Sequence, residues 1–173
     1  MCCWSENARG PRGNSVANAS LIMVSRSIVS KYFSKSLKFN GSISYIKGDE
    51  NETYGPMPSI SPIFGTISGE YSKNKFKVSA LYKFSGDKSP GDYSLGGEDG
   101  LEETPEIIES NGLIKYAGTP KWSDFSVYTN YDISQDVKVR FAITNIFDNH
   151  YRSFASGISA PGRSFQIGLY LKL

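Results

Sequence analysis

The sequence predicts an all-β fold, an antiparallel meander of about seven membrane-spanning strands of roughly ten residues each, the length a tilted strand needs to cross a bilayer. Three observations predict it. Apolar and polar residues alternate with a period of two through most of the chain. Short and long connections between the alternating segments follow one another strictly. Aromatic residues gather near the segment ends.

The first segment, residues 21–33, is the least sorted, with apolar and polar residues on both faces. Residues 37–45 and 63–71 alternate, with glycines among the apolar positions. In residues 75–84, Phe76, Val78, Ala80, Tyr82 and Phe84 oppose Lys75, Lys77, Ser79 and Lys83. In residues 123–133, Phe125, Val127, Tyr131 and Ile133 oppose Asp124, Ser126, Asn130 and Asp132. Residues 137–147 set Val137, Val139, Phe141 and Ile143 against Lys138, Arg140, Ala142 and Thr144. The last segment, residues 165–173, sets Phe165, Ile167, Leu169, Leu171 and Leu173 against Gln166, Gly168, Tyr170 and Lys172. Successive side chains of a strand point to opposite faces, so each segment has one apolar and one mostly polar face.

The connections 34–36, 72–74 and 134–136 are short, and 48–62, 86–121 and 148–162 are long. Barrels of the outer-membrane kind show this asymmetry, with tight turns on one side and extended loops on the other. A structureless connection as long as 86–121 is uncommon inside a compact soluble domain. Tyr32, Tyr71, Phe76 and Tyr131 lie near the short turns, and Tyr45, Phe64, Phe84, Trp122 and Phe147 near the long ones. Two such bands suit the two interfaces of a bilayer.

Composition agrees. The 173 residues are 39% hydrophobic and 13% aromatic, with 17 Gly, which favours strands over helices. No stretch has the ~18 consecutive apolar residues of a transmembrane helix. The formal charge of +2 has no clustered basic face, so nucleic acid is not an expected partner. Cys2 and Cys3 are adjacent, and neighbours in sequence rarely meet disulfide geometry. No nucleophile, metal-hydrolase or phosphate-loop motif is present, so neither an enzyme nor a cofactor site is expected. His150 stands alone in a polar segment and reads as a solvated loop residue. Residues 86–112 hold eight acidic residues against the single cation Lys88. Oxygen-rich loops can bind calcium, but the spacing of a calcium loop is missing, and a solvated surface loop is the expectation.

The end of the chain carries the most specific pattern: Asn145-Ile146-Phe147-Asp148-Asn149, Tyr151-Arg152, Gly157-Ile158, Ala160-Pro161-Gly162-Arg163, then an alternating strand. It resembles the C-terminus of TonB-dependent outer-membrane receptors, with N-L-F-D-x-x-Y-R, then P-G-R, then the closing strand. The segment from Pro56 to Pro62 is similar to that family's P-L-P-x-I-P-P, and Gly118-Thr119-Pro120-Lys121-Trp122 to its G-T-P-G-W. Gln166, Gly168, Leu171 and Leu173 resemble the signal read by the barrel-assembly machinery, although the family usually ends on an aromatic residue.

The resemblance covers roughly residues 14–173 and implies an incomplete segment of a barrel of about 22 strands. Residues 1–13 match no family segment and read as an atypical leader without a signal peptide's apolar region. The family's signal peptide, TonB box and plug are not found, and the expectation is a C-terminal fragment from a truncated or disrupted reading frame. The implied function is uptake of a scarce nutrient across the bacterial outer membrane, with iron–siderophore complexes the first substrate class and cobalamin, haem and glycans the others. The implied partners are outer-membrane lipid, the assembly machinery, the missing barrel and plug, and the TonB complex through that plug. Lys83, Asp124, Lys138 and Arg140 would face the lumen, and Arg163 would make a structural contact where loop meets strand. Two rival readings are a small self-contained membrane barrel and a soluble ligand-binding barrel of lipocalin type. An incomplete sheet leaves two exposed edges, so the chain alone is expected to be neither a stable barrel nor a transporter.

Overall fold

The computed structural model describes residues 22–48 and 55–172. Seven strands form one antiparallel sheet: β1 (Ile22–Ser34), β2 (Leu37–Gly48), β3 (Phe64–Lys73), β4 (Phe76–Ser85), β7 (Trp122–Asp132), β8 (Val137–Thr144) and β9 (Ser164–Leu171). Each pairs with its sequence neighbours, in the order β1-β2-β3-β4-β7-β8-β9. Among the described residues β1 and β9 do not pair, so the sheet they form is open.

The expected meander and its alternating connections are present, and two details differ. Residues 86–121 are not structureless. They hold 3-10 turns at Pro90–Asp92 and Leu101–Glu103 and a small hairpin of β5 (Glu106–Ile108) and β6 (Ile114–Tyr116). The strand expected to reach residue 147 stops at Thr144, because Asn145 turns into the left-handed region with φ 50°. The expected leader 1–13 and Leu173 lie outside the described residues.

Short turns are made by side chains suited to them. Asn74 takes φ 52° between β3 and β4, a conformation Asn tolerates. Ser134 Oγ accepts from the N–H groups of Asp136 and Val137 at 3.3 and 3.1 Å, closing the turn before β8. A bulge at the end of β1, between Tyr32 and Ser34, shifts its register against β2.

The register sorts the faces. Ser42, Thr66, Lys83 and Asp124 follow one another across four strands, and Asn130, Arg140 and Gly168 across three. That face is stitched by side chains: Ser30 to Asn40 (2.9 Å), Asn40 to Ser68 (3.3 Å), Ser42 with Thr66 (2.8 Å), and Thr144 with Ser164 (2.7 Å). The opposite face carries Ile43, Ile67, Tyr82, Phe141, Ile167 and Leu169, all exposed. Strand β1 mixes the two, since Val29 pairs with Gly41 on the apolar face and Ile28 with Ser42 on the polar one.

Among the described residues neither face is covered by a second layer. Among the described residues, the buried apolar side chains are Tyr93 and Ala142 alone. A water-soluble sheet protein buries its apolar face against another layer, and no such layer is present among the described residues. Its apolar face matches a hydrocarbon solvent instead. The aromatic bands are less uniform than expected. Tyr71, Phe76, Tyr131 and Tyr45 stand on the apolar face, but the register puts Tyr32, Phe64 and Trp122 on the polar one.

The face assignment predicts a contrast between neighbours in β9. Ile167→Arg puts a charge mid-strand on the apolar face and costs about 2–4 kcal/mol at the bilayer midplane, whereas Gln166→Arg, on the polar face, costs less than about 1 kcal/mol. Urea unfolding of the lipid-embedded protein measures both, and equal losses would overturn the assignment.

Candidate functional site

The polar face and the long connections meet around Asp124. Its Oδ2 lies 2.8 Å from Lys83 Nζ, directly across the β4–β7 pair, and the carboxylate is 6% exposed. Ser126 donates to Asp124 Oδ1 at 3.0 Å, and the Tyr151 hydroxyl donates to Oδ2 at 3.2 Å. Tyr151 stacks on Trp122 with ring centroids 4.2 Å apart. Burial, with the Asp124 charge beside it, pushes the Tyr151 hydroxyl above its ordinary value against the pull of Lys83, so it is a neutral donor at pH 7.

The terminal motif builds the loop that brings Tyr151 there. Asn145 is 3% exposed and is the hub. Its Nδ2 donates to the carbonyls of Asn149 (2.9 Å) and Pro161 (3.1 Å), and its Oδ1 accepts from the Asn149 N–H at 3.0 Å. The Asn145 N–H donates to Ser126 Oγ at 3.2 Å, and Asn149 Nδ2 reaches the Ser123 carbonyl at 2.9 Å. Asp148, at φ 57°, accepts from the Arg163 N–H at 2.7 Å. Gly162 sits beside that carboxylate, and a Cβ there would stand 2.8 Å from Asp148 Oδ1, so a larger residue would break the clamp. Phe147 stacks on Phe125 at 6.0 Å, and Arg152 Nη1 donates to the Glu103 carbonyl at 2.6 Å. In this loop Arg163 contributes its backbone N–H, and its side chain is exposed.

Lys138 and Arg140 share the polar face nearer the short turns. Lys138 pairs with Asp132 at 3.2 Å. The Arg140 guanidinium lies 5.4 Å from the centre of the Tyr128 ring, and its Nε is buried without a partner. Gly168 stands opposite Arg140 on β9, Gln166 opposite Ala142, and Leu171 opposite Val137 on the apolar face.

A second cluster, which the sequence does not announce, lies within the long connections. Lys88 and Asp99 form an ion pair at 2.8 Å, with side chains 4% and 2% exposed. Lys88 Nζ also donates to the Ile60 carbonyl at 2.8 Å and lies 4.0 Å from the Phe154 ring centre and 4.9 Å from that of Tyr93. Asp99 accepts from the N–H groups of Ser59 (2.7 Å) and Ser94 (3.4 Å). Tyr93 OH and Thr119 Oγ1 are 2.6 Å apart. The only hint in the sequence is that Lys88 is the lone cation in an acidic run. The expectation of a solvated acidic loop holds for Asp87, Asp92, Glu98, Glu102, Glu103 and Glu106, which are exposed, and fails for Asp99, which is buried and ion-paired. Among the described residues no group of three or more His, Cys, Asp or Glu could share a metal ion.

Between the hairpin connection and the last loop lies a cleft of about 260 Å³, lined by Thr104, Pro120, Trp122, His150, Tyr151 and Arg152 among others.

No protein-family model matches the sequence, and no curated protein matches it. Solved structures do. The copper transporter OprC aligns with a TM-score of 0.67 at 16% identity, over 88% of this chain and 23% of that one. The siderophore receptor PirA from Acinetobacter baumannii aligns at 0.64 and 18%, over 88% and 22%. The ferric-catecholate import receptor Fiu from E. coli aligns at 0.59 and 14%, over 84% and 20%. The chain thus spans less than a quarter of the length of each.

Two predictions follow from this geometry. Asn145→Ala loses three loop hydrogen bonds and keeps a left-handed backbone, so amides of residues 146–149 and 161–163, where the loop leaves and rejoins the sheet, open more easily by about 2–4 kcal/mol. Asn145→Gly loses the same bonds without the backbone strain and is milder by about 1 kcal/mol. Hydrogen exchange separates them, and equal effects would remove the backbone contribution. For Asp99, burial raises the carboxyl's pKa, but Lys88 and the Ser59 and Ser94 N–H groups outweigh it and hold it below the ordinary carboxylate value. A lowered folded-state value gives stability that is full above the unfolded value of about 3.9 and is lost as pH falls through the folded one. The protease resistance of the long loops in the native protein therefore exceeds that of Asp99→Asn at neutral pH, and the gap closes only below about pH 4. A gap that does not change with pH would contradict this.

The chain has the fold of part of an outer-membrane receptor barrel, an antiparallel meander that is open among its described residues.

Proposed function

We propose that this sheet is a wall sector of a TonB-dependent outer-membrane receptor that imports a scarce nutrient, an iron–siderophore complex in the first place. The observation that supports it best is the open seven-stranded meander with one bare apolar face, together with its likeness to OprC, PirA and Fiu.

On this reading lipid covers Ile67, Phe141, Ile167 and Leu169, and the lumen lies against Lys83, Asp124, Lys138 and Arg140. Charges are tolerated on a lumenal face and costly on a lipid face. The long connections are the outer loops, which gather ligand, and the tight turns face the periplasm. The barrel-assembly machinery reads the last segment through Gln166, Gly168, Leu171 and Leu173. The TonB complex supplies energy through a plug that fills the completed barrel. Residues 14–173 act here as the C-terminal part of that barrel. Asn145, Phe147, Asp148, Tyr151, Arg152, Pro161, Gly162 and Arg163 serve it structurally by shaping the last outer loop.

Deletion of the complete gene in the bacterium that carries it is expected to lower uptake of radiolabelled ferric siderophore under iron limitation. Restoring the gene returns it. Unchanged iron uptake alongside lost copper uptake would move the cargo to copper, and no change in either would refute import.

A further inference from the structure

We propose that parts of the three long connections, residues 55–63, 86–121 and 150–159, form a single lid latched by the Lys88–Asp99 pair, which opens as one unit rather than segment by segment. The regulation this implies for nutrient entry rests on the uptake reading; the latch itself does not.

Each connection supplies a part of the latch that the others need. The first gives the Ile60 carbonyl to Lys88 and the Ser59 N–H to Asp99. The second gives the ion pair itself and Tyr93. The third gives the Phe154 ring, 4.0 Å from the ammonium and edge-on to Tyr93 at 5.9 Å. Two further ties support it, the first within the second segment and the other between the second and the third. Thr119 and Lys88 exchange backbone hydrogen bonds of 2.9 and 3.0 Å, and Arg152 Nη1 holds the Glu103 carbonyl at 2.6 Å.

The ion pair belongs to the second connection, and the other two complete the shell of hydrogen bonds and rings that keeps water from it. Taking away one partner leaves an ammonium or a carboxylate desolvated and uncompensated, which is far costlier than exposing both to water. Lifting the first loop alone removes an acceptor from Lys88 and a donor from Asp99. Lifting the last alone removes the ring that shields the pair. Complete opening hydrates every group at once, so closed and fully open are the two stable arrangements. The long outer loops of this sector are thus one gate.

Hydrogen exchange on the protein in lipid nanodiscs tests this without any ligand. In Lys88→Met, exchange of residues 55–63, 86–121 and 150–159 is expected to rise together, on the order of a hundredfold. Amides of β7 and β8 should stay at native values, which verifies the sheet. A rise confined to residues 86–100 overturns the proposal. A second measurement needs no variant: in the unmodified protein, protease sensitivity of the three segments should appear at one temperature midpoint, and separate midpoints overturn the single lid. Failure here leaves nutrient uptake standing, and a failed uptake assay leaves the latch standing, because neither measurement reads the other.

Discussion

In hydrocarbon a strand has nowhere to place an unpaired backbone N–H or carbonyl except against another strand. The five strands between β1 and β9 meet that demand on both sides through an unbroken antiparallel ladder. Once the ladder is in place, a period of two is forced on the side chains. On the membrane reading proposed above, one face must suit lipid, and the other is free to be polar. This constraint explains why Gly41, Gly65 and Gly69 share one face with Ile43 and Ile67 while Ser42, Thr66, Lys83 and Asp124 line up on the other. It also explains why the polar side chains bond to each other across strands, as Ser42 does with Thr66, rather than to any covering layer.

Burial is therefore inverted relative to an ordinary globular domain. The sheet hides almost nothing apolar, and the buried side chains are mostly polar and sit where the long loops close over the strand ends. Asp124 is reached by Lys83 from the sheet and by Tyr151 from a loop, so it joins the two parts of the structure. Lys88 does the corresponding work among the loops, with a carboxylate, a carbonyl and two aromatic rings around one ammonium. Polar cores of this kind are stable only when every partner is in place. That is why connections as long as 86–121 are ordered at all.

The terminal motif shows how a pattern of letters becomes geometry. Asn145 needs a side chain that tolerates a left-handed backbone and also offers a donor and an acceptor, and Asn meets all three needs. Gly162 is required by the space Asp148 occupies. The motif's order and spacing are visible in the sequence. Its purpose, holding Tyr151 over Asp124 and Trp122, needs the folded chain.

Strand number, strand faces, the alternation of turns and loops, and the place of Lys83, Asp124, Lys138 and Arg140 on one face were all legible in the sequence. Each depends on neighbours two residues apart, and a strand's alternation is a local property of the chain. Only the tertiary structure decided that Trp122 leaves the aromatic band for the polar face, that residues 106–116 form a hairpin, and that Lys88 meets Asp99, Ile60 and Phe154. Those outcomes rest on contacts between segments far apart in the chain. Their energies come from burying charges together, a quantity that no local pattern of residues encodes.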